Sequence, residues 1–577
     1  MNESLKTIVF LGVAAALCAV ASFTGPGEVR HELFSDEGEP FFPGFTDPAA
    51  ASELLVWSYD AAASRIDGFN VKRDDKGVWT IPSHYDYPAD AKTRMSKSAT
   101  MLLGLQKDRV ISDRVDDHKL YGVIDPEDDG LETDGRGTKV AFKDGGGNAL
   151  AELIIGKDLE GTPDMHYVRV PGKKRVYAAK FDNQLSTKFA DWIETDLLKA
   201  KSWEIQQVVF DNYSVDEQQG RIVKGDRIVV KKDEASKWTL EGLADGKEPD
   251  EDKLRAIGET LGQVKIVGVR RKPEGLTAAL KQATGIDRLA LQQMLQDKGY
   301  FLDTNGDLVS NEGDLIFETQ KGVRYTLRFG EIVYGDGDAV TSGKGDPKPE
   351  APKDGPKDGP KDGEVGPAAV AGNNRYLMVT AEFDRALLKQ PAGLRLSAEE
   401  LSNRRDARNA IQAIVDAIAA WKAAHDDQLP ETLAQLTEKP DEETPPPLTT
   451  LEKDPWGQDY HYVRQGDGYV VSSFGADQKE GGDAAGRDVL SDQLSVEDDL
   501  RRQADEWTQF DKKVEDGEKE AEGLNRRFGP WYYVIDNELF TKLKPTREDL
   551  IKTAEPAADA AAGAADGNGG STGEPNK

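Results

Sequence analysis

The chain has 577 residues, enough for about three or four domains that each bury a core. Its 74 Lys+Arg against 105 Asp+Glu give a formal charge of −31, which repels phosphate backbones and anionic headgroups and excludes nucleic acid as a natural partner. The single cysteine, Cys18, sits in an N-terminal apolar run and the six histidines are scattered, so there is no disulfide framework, zinc spacing or catalytic histidine cluster.

Residues 1–23 contain the apolar run Ile8 to Phe23 behind Lys6, followed by Glu28, Glu32, Asp36 and Glu37. This is an export segment, a signal peptide or a single N-terminal membrane span. Its core is shorter than the about twenty residues of a comfortable span, and Ala19-Val20-Ala21 suits a signal peptidase. Either way the acidic remainder is expected on the extracytoplasmic, periplasmic side, tethered to the cell membrane or cleaved and secreted. Residues 24–50 show no period and read as an irregular lead.

A first module is expected over 51–204. Phe69 to Arg73 and Val78 to Ile81 read as strands around a turn, Ala89 to Lys107 as a helix, and Thr138 to Phe142, Ala149 to Ile155, His166 to Val170 and Val176 to Ala179 as further strands, closing on Lys188 to Trp192. The same events return over 205–392 and 524–552. Arg227 to Lys232 and Lys237 to Leu240 repeat the first hairpin, with Trp238 placed like Trp79. Asp250 to Gly262 repeats the helix, Val264 to Val267 the strand after it, and Leu315 to Thr319, Arg324 to Phe329 and Arg375 to Phe383 the later strands. Phe383-Asp384 matches Phe181-Asp182, and Arg527 to Trp531 echoes Lys188 to Trp192. The period is that of a domain, so this is internal duplication.

Two stretches interrupt the second copy. Residues 343–364 carry a triplicated Lys-Asp-Gly with almost nothing apolar to bury and read as a flexible loop. The larger interruption, 393–492, opens on a Ser397/Glu400 capping box and a helix with Ala407, Ile411, Ile414 and Ile418 on one face. Asp454-Pro455-Trp456-Gly457 is turn chemistry, and Tyr460 to Ser473 is a hairpin around Gly466-Asp467-Gly468. Beyond it, Asp477, Asp483 and Asp488 lie among Gly475, Gly481, Gly482 and Gly486. Such a loop can curl tightly and offer carboxylates and carbonyls to a hard cation such as calcium; an Asp/Gly surface turn is the plain alternative. Residues 493–523 read as a highly charged, exposed helix with few apolar anchors, and 553–577 as a disordered low-complexity tail.

Arg404 to Asp488, with its amphipathic helix, DPWG, Tyr-rich hairpin and S-x-G-A-D…G-G…D loop, resembles the soluble part of the major pseudopilin of type II secretion. That family binds calcium in the last loop, which implies Asp477, Asp488 and Asp483 as ligands, with the Phe474 carbonyl a fourth. A pilin's apolar stem and processing motif are missing ahead of this helix, so polymerisation is not expected. The scaffold, through its N-terminal apolar segment, Leu308 to Asp314, Gly322 to Gly330 and Phe528 to Ile535, resembles the exported, membrane-anchored domain of unknown function 4340 family. That resemblance implies a place beside gliding-type ABC transporter components and brings no catalytic residues.

Other motifs give little chemistry. Asp303 to Asp307 begins like an EF-hand loop, but Leu308 stands where the turn needs Gly and Asp314 where Glu is usual, so a hairpin turn is expected. His84 to Tyr87, bracketed by Pro82 and Pro88, reads as a packed loop, and Gly145 to Gly147 as a turn. No G-x-S-x-G, H-E-x-x-H or dinucleotide fingerprint occurs. The expectation is an α+β protein with two related, mostly antiparallel-sheet modules, an inserted pseudopilin-like unit and one N-terminal apolar helix. Its expected role is non-catalytic: an interaction or assembly protein tethered through its N-terminal segment, with an ABC transporter or envelope protein as partner. The alternative is a cell-envelope hydrolase acting on carbohydrate, which would need two opposed carboxylates in a cleft.

Overall fold

The computed structural model describes residues 7, 9–17 and 36–553, apart from 62–63, 131–132, 184, 217–220, 274–275, 277–285, 304, 336, 345–373, 440–441 and 484–485. The tail from 554, nearly all of the Lys-Asp-Gly loop and much of the export segment lie outside the described residues. Among those described, no helix is long and apolar enough to cross a membrane.

Alternating apolar residues build two large antiparallel sheets. The first contains β1 (Glu53–Asp60), β2 (Arg65–Arg73), β3 (Trp79–Ile81), β4 (Tyr87–Pro88), β5 (Arg109–Ser112), β6 (Thr138–Lys143), β7 (Ala149–Asp158), β8 (Met165–Arg169) and β9 (Val176–Lys180). Their order is β4-β3-β2-β1-β6-β7-β8-β9-β5. The second contains β10 (Ile205–Asp211), β11 (Arg227–Lys232), β12 (Trp238–Leu240), β13 (Gly268–Arg271), β14 (Asp314–Thr319), β15 (Val323–Val333), β16 (Asn374–Phe383) and β17 (Trp531–Asp536), in the order β12-β11-β10-β14-β15-β16-β17-β13. Along β15 the period of two is plain: Val323, Tyr325, Leu327 and Phe329 are buried on one face. The class is α+β.

Strand for strand, the second order repeats the first from β3 to β5. A helix sits at the same point of each copy, α1 (Lys92–Leu102) before β5 and α2 (Glu251–Leu261) before β13. α2 is capped by Asp250, whose carboxylate accepts from the Lys253 N–H. The repeat's fine alignment differs from the sequence reading. β16 and β17 take the places of β8 and β9, so the long interruption fills the short Val170 to Arg175 connection, and Phe383-Asp384 is not the counterpart of Phe181-Asp182. Likewise Val264 to Val267 is not the strand after the helix; that is β13, a few residues on, and Lys265 makes only an isolated bridge to Asp196. Short apolar runs near Phe-Asp pairs misled the alignment, because pairing order is decided by partners distant in sequence.

The two sheets share one continuous core, which runs from Leu54, Phe142 and Trp192 to Phe317, Tyr325, Phe528 and Tyr533. The lead is partly packed into it: Phe41 and Phe45 are buried, and Asp36 binds Arg175 and the Tyr177 hydroxyl. The interruption has its own core, where Ala407, Ile411, Ile414 and Ile418 of helix α3 (Ala398–Ala424) meet Leu436, Val471 and Val489.

Helix α4 (Leu494–Phe528) returns the chain from this unit to β17. It corrects the picture of an exposed helix with few apolar anchors: it starts at Leu494 without a side-chain cap and buries Ala504, Phe510, Gly517, Ala521, Leu524 and Phe528 along one stripe. The Asn525 amide brackets Ala381 of β16, Oδ1 accepting from its N–H and Nδ2 donating to its carbonyl. Gly517 is where helix and sheet touch. A Cβ there would lie 2.5 Å from Phe383 Cε2 and 2.6 Å from the Lys321 carbonyl oxygen. Alanine is the better helix former by about 1 kcal/mol, yet Gly517→Ala is expected to destabilise the protein by about 1–3 kcal/mol, read as a lower unfolding midpoint in urea. A gain in stability would show that α4 is not pressed on the sheet.

Candidate cation loop

The loop after the hairpin is built on Asp454. This carboxylate is buried; its Oδ1 accepts from the Trp456 and Gln458 N–H groups and its Oδ2 from Ser473 Oγ at 2.6 Å, so the DPWG turn is fastened to the end of the hairpin strand Gly468–Ser473. Ser397 caps α3 through the Glu400 N–H, but the Glu400 side chain does not complete the box. It accepts from Trp456 Nε1 at 3.2 Å and so ties the helix to the same turn.

Of the four sequence-derived ligands, two carboxylates are fastened to the backbone of the same loop. Asp477 Oδ1 accepts from the Lys479 N–H, while Oδ2 lies against Gly482 and Gly486, 3.1 and 2.8 Å from where their Cβ atoms would be. Asp488 Oδ2 accepts from the Gly481 N–H at 2.9 Å, and its Oδ1 is buried with no hydrogen-bond partner. Each carboxylate thus spends one oxygen on the loop's own backbone. The Gly486 carbonyl joins them, 2.4 Å from the Cβ position of Gly482, a space that only glycine at 482 and 486 leaves open. Asp483 is exposed and contributes its backbone carbonyl to the Gly486 N–H. The Phe474 ring stacks on His461 at 3.8 Å. Among the described residues no three His, Cys, Asp or Glu side chains gather into a metal-ready group.

An orphaned buried carboxylate oxygen at Asp488, with the Asp477 carboxylate and the Gly486 carbonyl both against Gly482 in the same loop, is the mixed oxygen donor set that a hard cation takes. Asp477, Asp488 and the Gly486 carbonyl would hold it. The cation would supply charge that lets two carboxylates share one tight turn.

The loop is anchored from behind. Arg404 of α3, 2% exposed, makes a bidentate pair with Glu497 in the first turn of α4, Nε–Oε2 at 2.8 Å and Nη2–Oε1 at 2.7 Å, and its Nη1 donates to the carbonyl of Arg487, the residue before Asp488. Sequence reading missed Arg404 as a core charge, because nothing local marks an arginine whose partner is ninety-three positions away.

The remaining motifs are structural. Asp303 Oδ1 accepts from the Asn305 and Asp307 N–H groups, as a turn does, and Asp144 binds Gly146 and Asn148 in the same way. His84 is buried where the two sheets meet.

Comparison with curated proteins gives no match. Residues 79–285 match the family model described as Domain of unknown function (DUF4340), a stretch that runs from β3 across the junction and past β13. Residues 396–492, which span α3, the hairpin and the Asp477/Asp488 loop, match that of Type II secretion system (T2SS), protein G, so the chain combines a DUF4340 region with an inserted protein G-like unit.

Proposed function

We propose that this is a non-catalytic, envelope-associated protein, tethered by its N-terminal segment with the bulk extracytoplasmic, which serves as an interaction or assembly component accessory to an ABC transporter. The observation that carries the reading is the pairing of a DUF4340 region with a protein G-like unit in one chain that opens on an apolar run. The unit supplies a folded surface carried on α3 and α4, and calcium in the Asp477/Asp488 loop stiffens it.

Calcium that binds only the folded loop stabilises it by about 2.7 kcal/mol at a hundredfold excess over its dissociation constant. The full chain should therefore melt its protein G-like unit at a higher temperature in calcium than in chelator, and Asp477→Ala should erase that difference while leaving the remaining transitions in place. Equal melting in calcium and chelator would reject the calcium role. Purification of the tagged full chain from its native membranes should bring down transporter components; recovery from the cytosolic fraction alone would reject the tethered assignment.

A further inference from the structure

Where β4 of the first sheet meets β17 of the second lies a cavity of about 390 Å³, a size and a place typical of small-molecule sites. The Tyr87 ring meets the Trp531 ring edge-on at 4.9 Å, and the Arg271 guanidinium covers Trp531 at 5.0 Å from its centroid. Pro88 and Pro530 extend this apolar wall. Lys199, Arg526 and Arg527 add positive charge around it, against Asp86 and Glu194. Four cations to two acids inverts the balance of a chain with 105 acidic and 74 basic residues.

Arg527 is the informative member. Its Nη2 donates to the backbone carbonyls of Glu194, at 3.3 Å, and Asp196, which fix the guanidinium without neutralising it. It has no carboxylate partner among the described residues, and its Nη1 is buried without a hydrogen bond. Glu194 is occupied by Lys199 at 3.6 Å, and Arg526 pairs on its exposed side with Glu522. A guanidinium held in place by carbonyls keeps its full charge for an incoming anion.

We infer that this junction cavity binds a small organic oxyanion, a carboxylate or phosphate monoester carried on a flat apolar body. The anionic head sits between Arg527 and Arg271, and the body lies along Trp531 and the two prolines. The ligand bridges the two sheets, since β4 and Glu194 belong to the first half and Arg271, Arg527 and Trp531 to the second.

The test is equilibrium binding to the full chain, followed by tryptophan fluorescence and by thermal shift, with phenyl phosphate, benzoate, inorganic phosphate and uncharged phenol as probes. Phenyl phosphate or benzoate should bind saturably and raise the melting temperature, phenol should not, and higher salt should weaken binding. The variant Arg271→Gln/Arg526→Gln changes two solvent-facing cations and leaves the Arg527 pins in place; it should melt near the parent without ligand and bind at least tenfold more weakly. The inference is overturned if no anionic probe binds saturably at millimolar concentration, or if the double variant binds as well as the parent. It is also overturned if only vesicles containing phosphatidic acid, and no soluble probe, respond, because the recognised group would then be a membrane surface.

Discussion

Arg404→Ala is expected to destabilise the protein G-like unit by about 3–5 kcal/mol, the cost of leaving Glu497 buried without its partner. Both charges are nearly inaccessible, and the pair is bidentate, so water cannot replace the lost guanidinium. Lysine should not rescue it, because an ammonium cannot present the parallel donors that the carboxylate requires. The double variant Arg404→Met/Glu497→Met should recover part of the loss, since apolar residues of similar size remove the desolvation cost of both ions while Glu400 and the Arg487 carbonyl still lose the Arg404 Nη1 contact. Urea unfolding of the parent, both single variants and the double closes this cycle; additive single effects would show that the two side chains do not act as a pair. Because Arg404 also holds the Arg487 carbonyl, Arg404→Met should weaken the proposed calcium response of the loop, whereas Asp477→Ala should leave the attachment of α3 to α4 intact.

Acid should loosen the junction between the two sheets, with His84 as the largest contributor between pH 6.5 and 4.5. Its ring is 2% exposed, stacks on Phe189 at 4.2 Å, and places Nδ1 2.9 Å from Ser83 Oγ and Nε2 3.0 Å from Thr341 Oγ1 of the helix Gly337–Thr341 in the second half. Tyr85 supports the contact by donating to the Ser342 carbonyl. Burial, with Lys344 and Arg270 nearby, lowers the His84 pKa from 6.5 to about 3. Above pH 6.5 the ring is neutral in both states and costs nothing. As pH falls below that, the unfolded chain takes up a proton that the folded one refuses, and stability drops by about 1.4 kcal/mol per unit, or about 2.7 kcal/mol at pH 4.5, until the folded ring titrates near 3. Carboxylates such as Asp36 and Asp226, whose pKa values are lowered by their partners, lose their contributions at more acid pH and fall outside this window. His84→Gln keeps a polar group toward Thr341 and removes the proton uptake, so its stability should change little between pH 6.5 and 4.5. An equal slope in parent and variant would assign the acid sensitivity elsewhere.

The sequence by itself determined the elements whose signals are local. Alternation in Val323 to Phe329, the Trp79 and Trp238 hairpins, the apolar face of α3 and the turn chemistry of Asp454 to Gly457 each follow from backbone geometry and burial within a few residues. The Tyr-rich hairpin and the Asp/Gly turn that follows it are legible for the same reason. Only the tertiary structure decided which strands are equivalent, since β8 and β16 are matched by their neighbours in the sheet and the interruption could be placed only once β17 was seen beside β13. It also decided that α4 lies against the sheet through Gly517, a residue that reads locally as a weak point in a charged helix. Arg404, His84 and Arg527 gain their roles from Glu497, Thr341 and the Glu194 and Asp196 carbonyls, the last two more than 250 positions away in sequence. Burial of a charge or an imidazole is a property of the surrounding fold, and composition or spacing carries no trace of it.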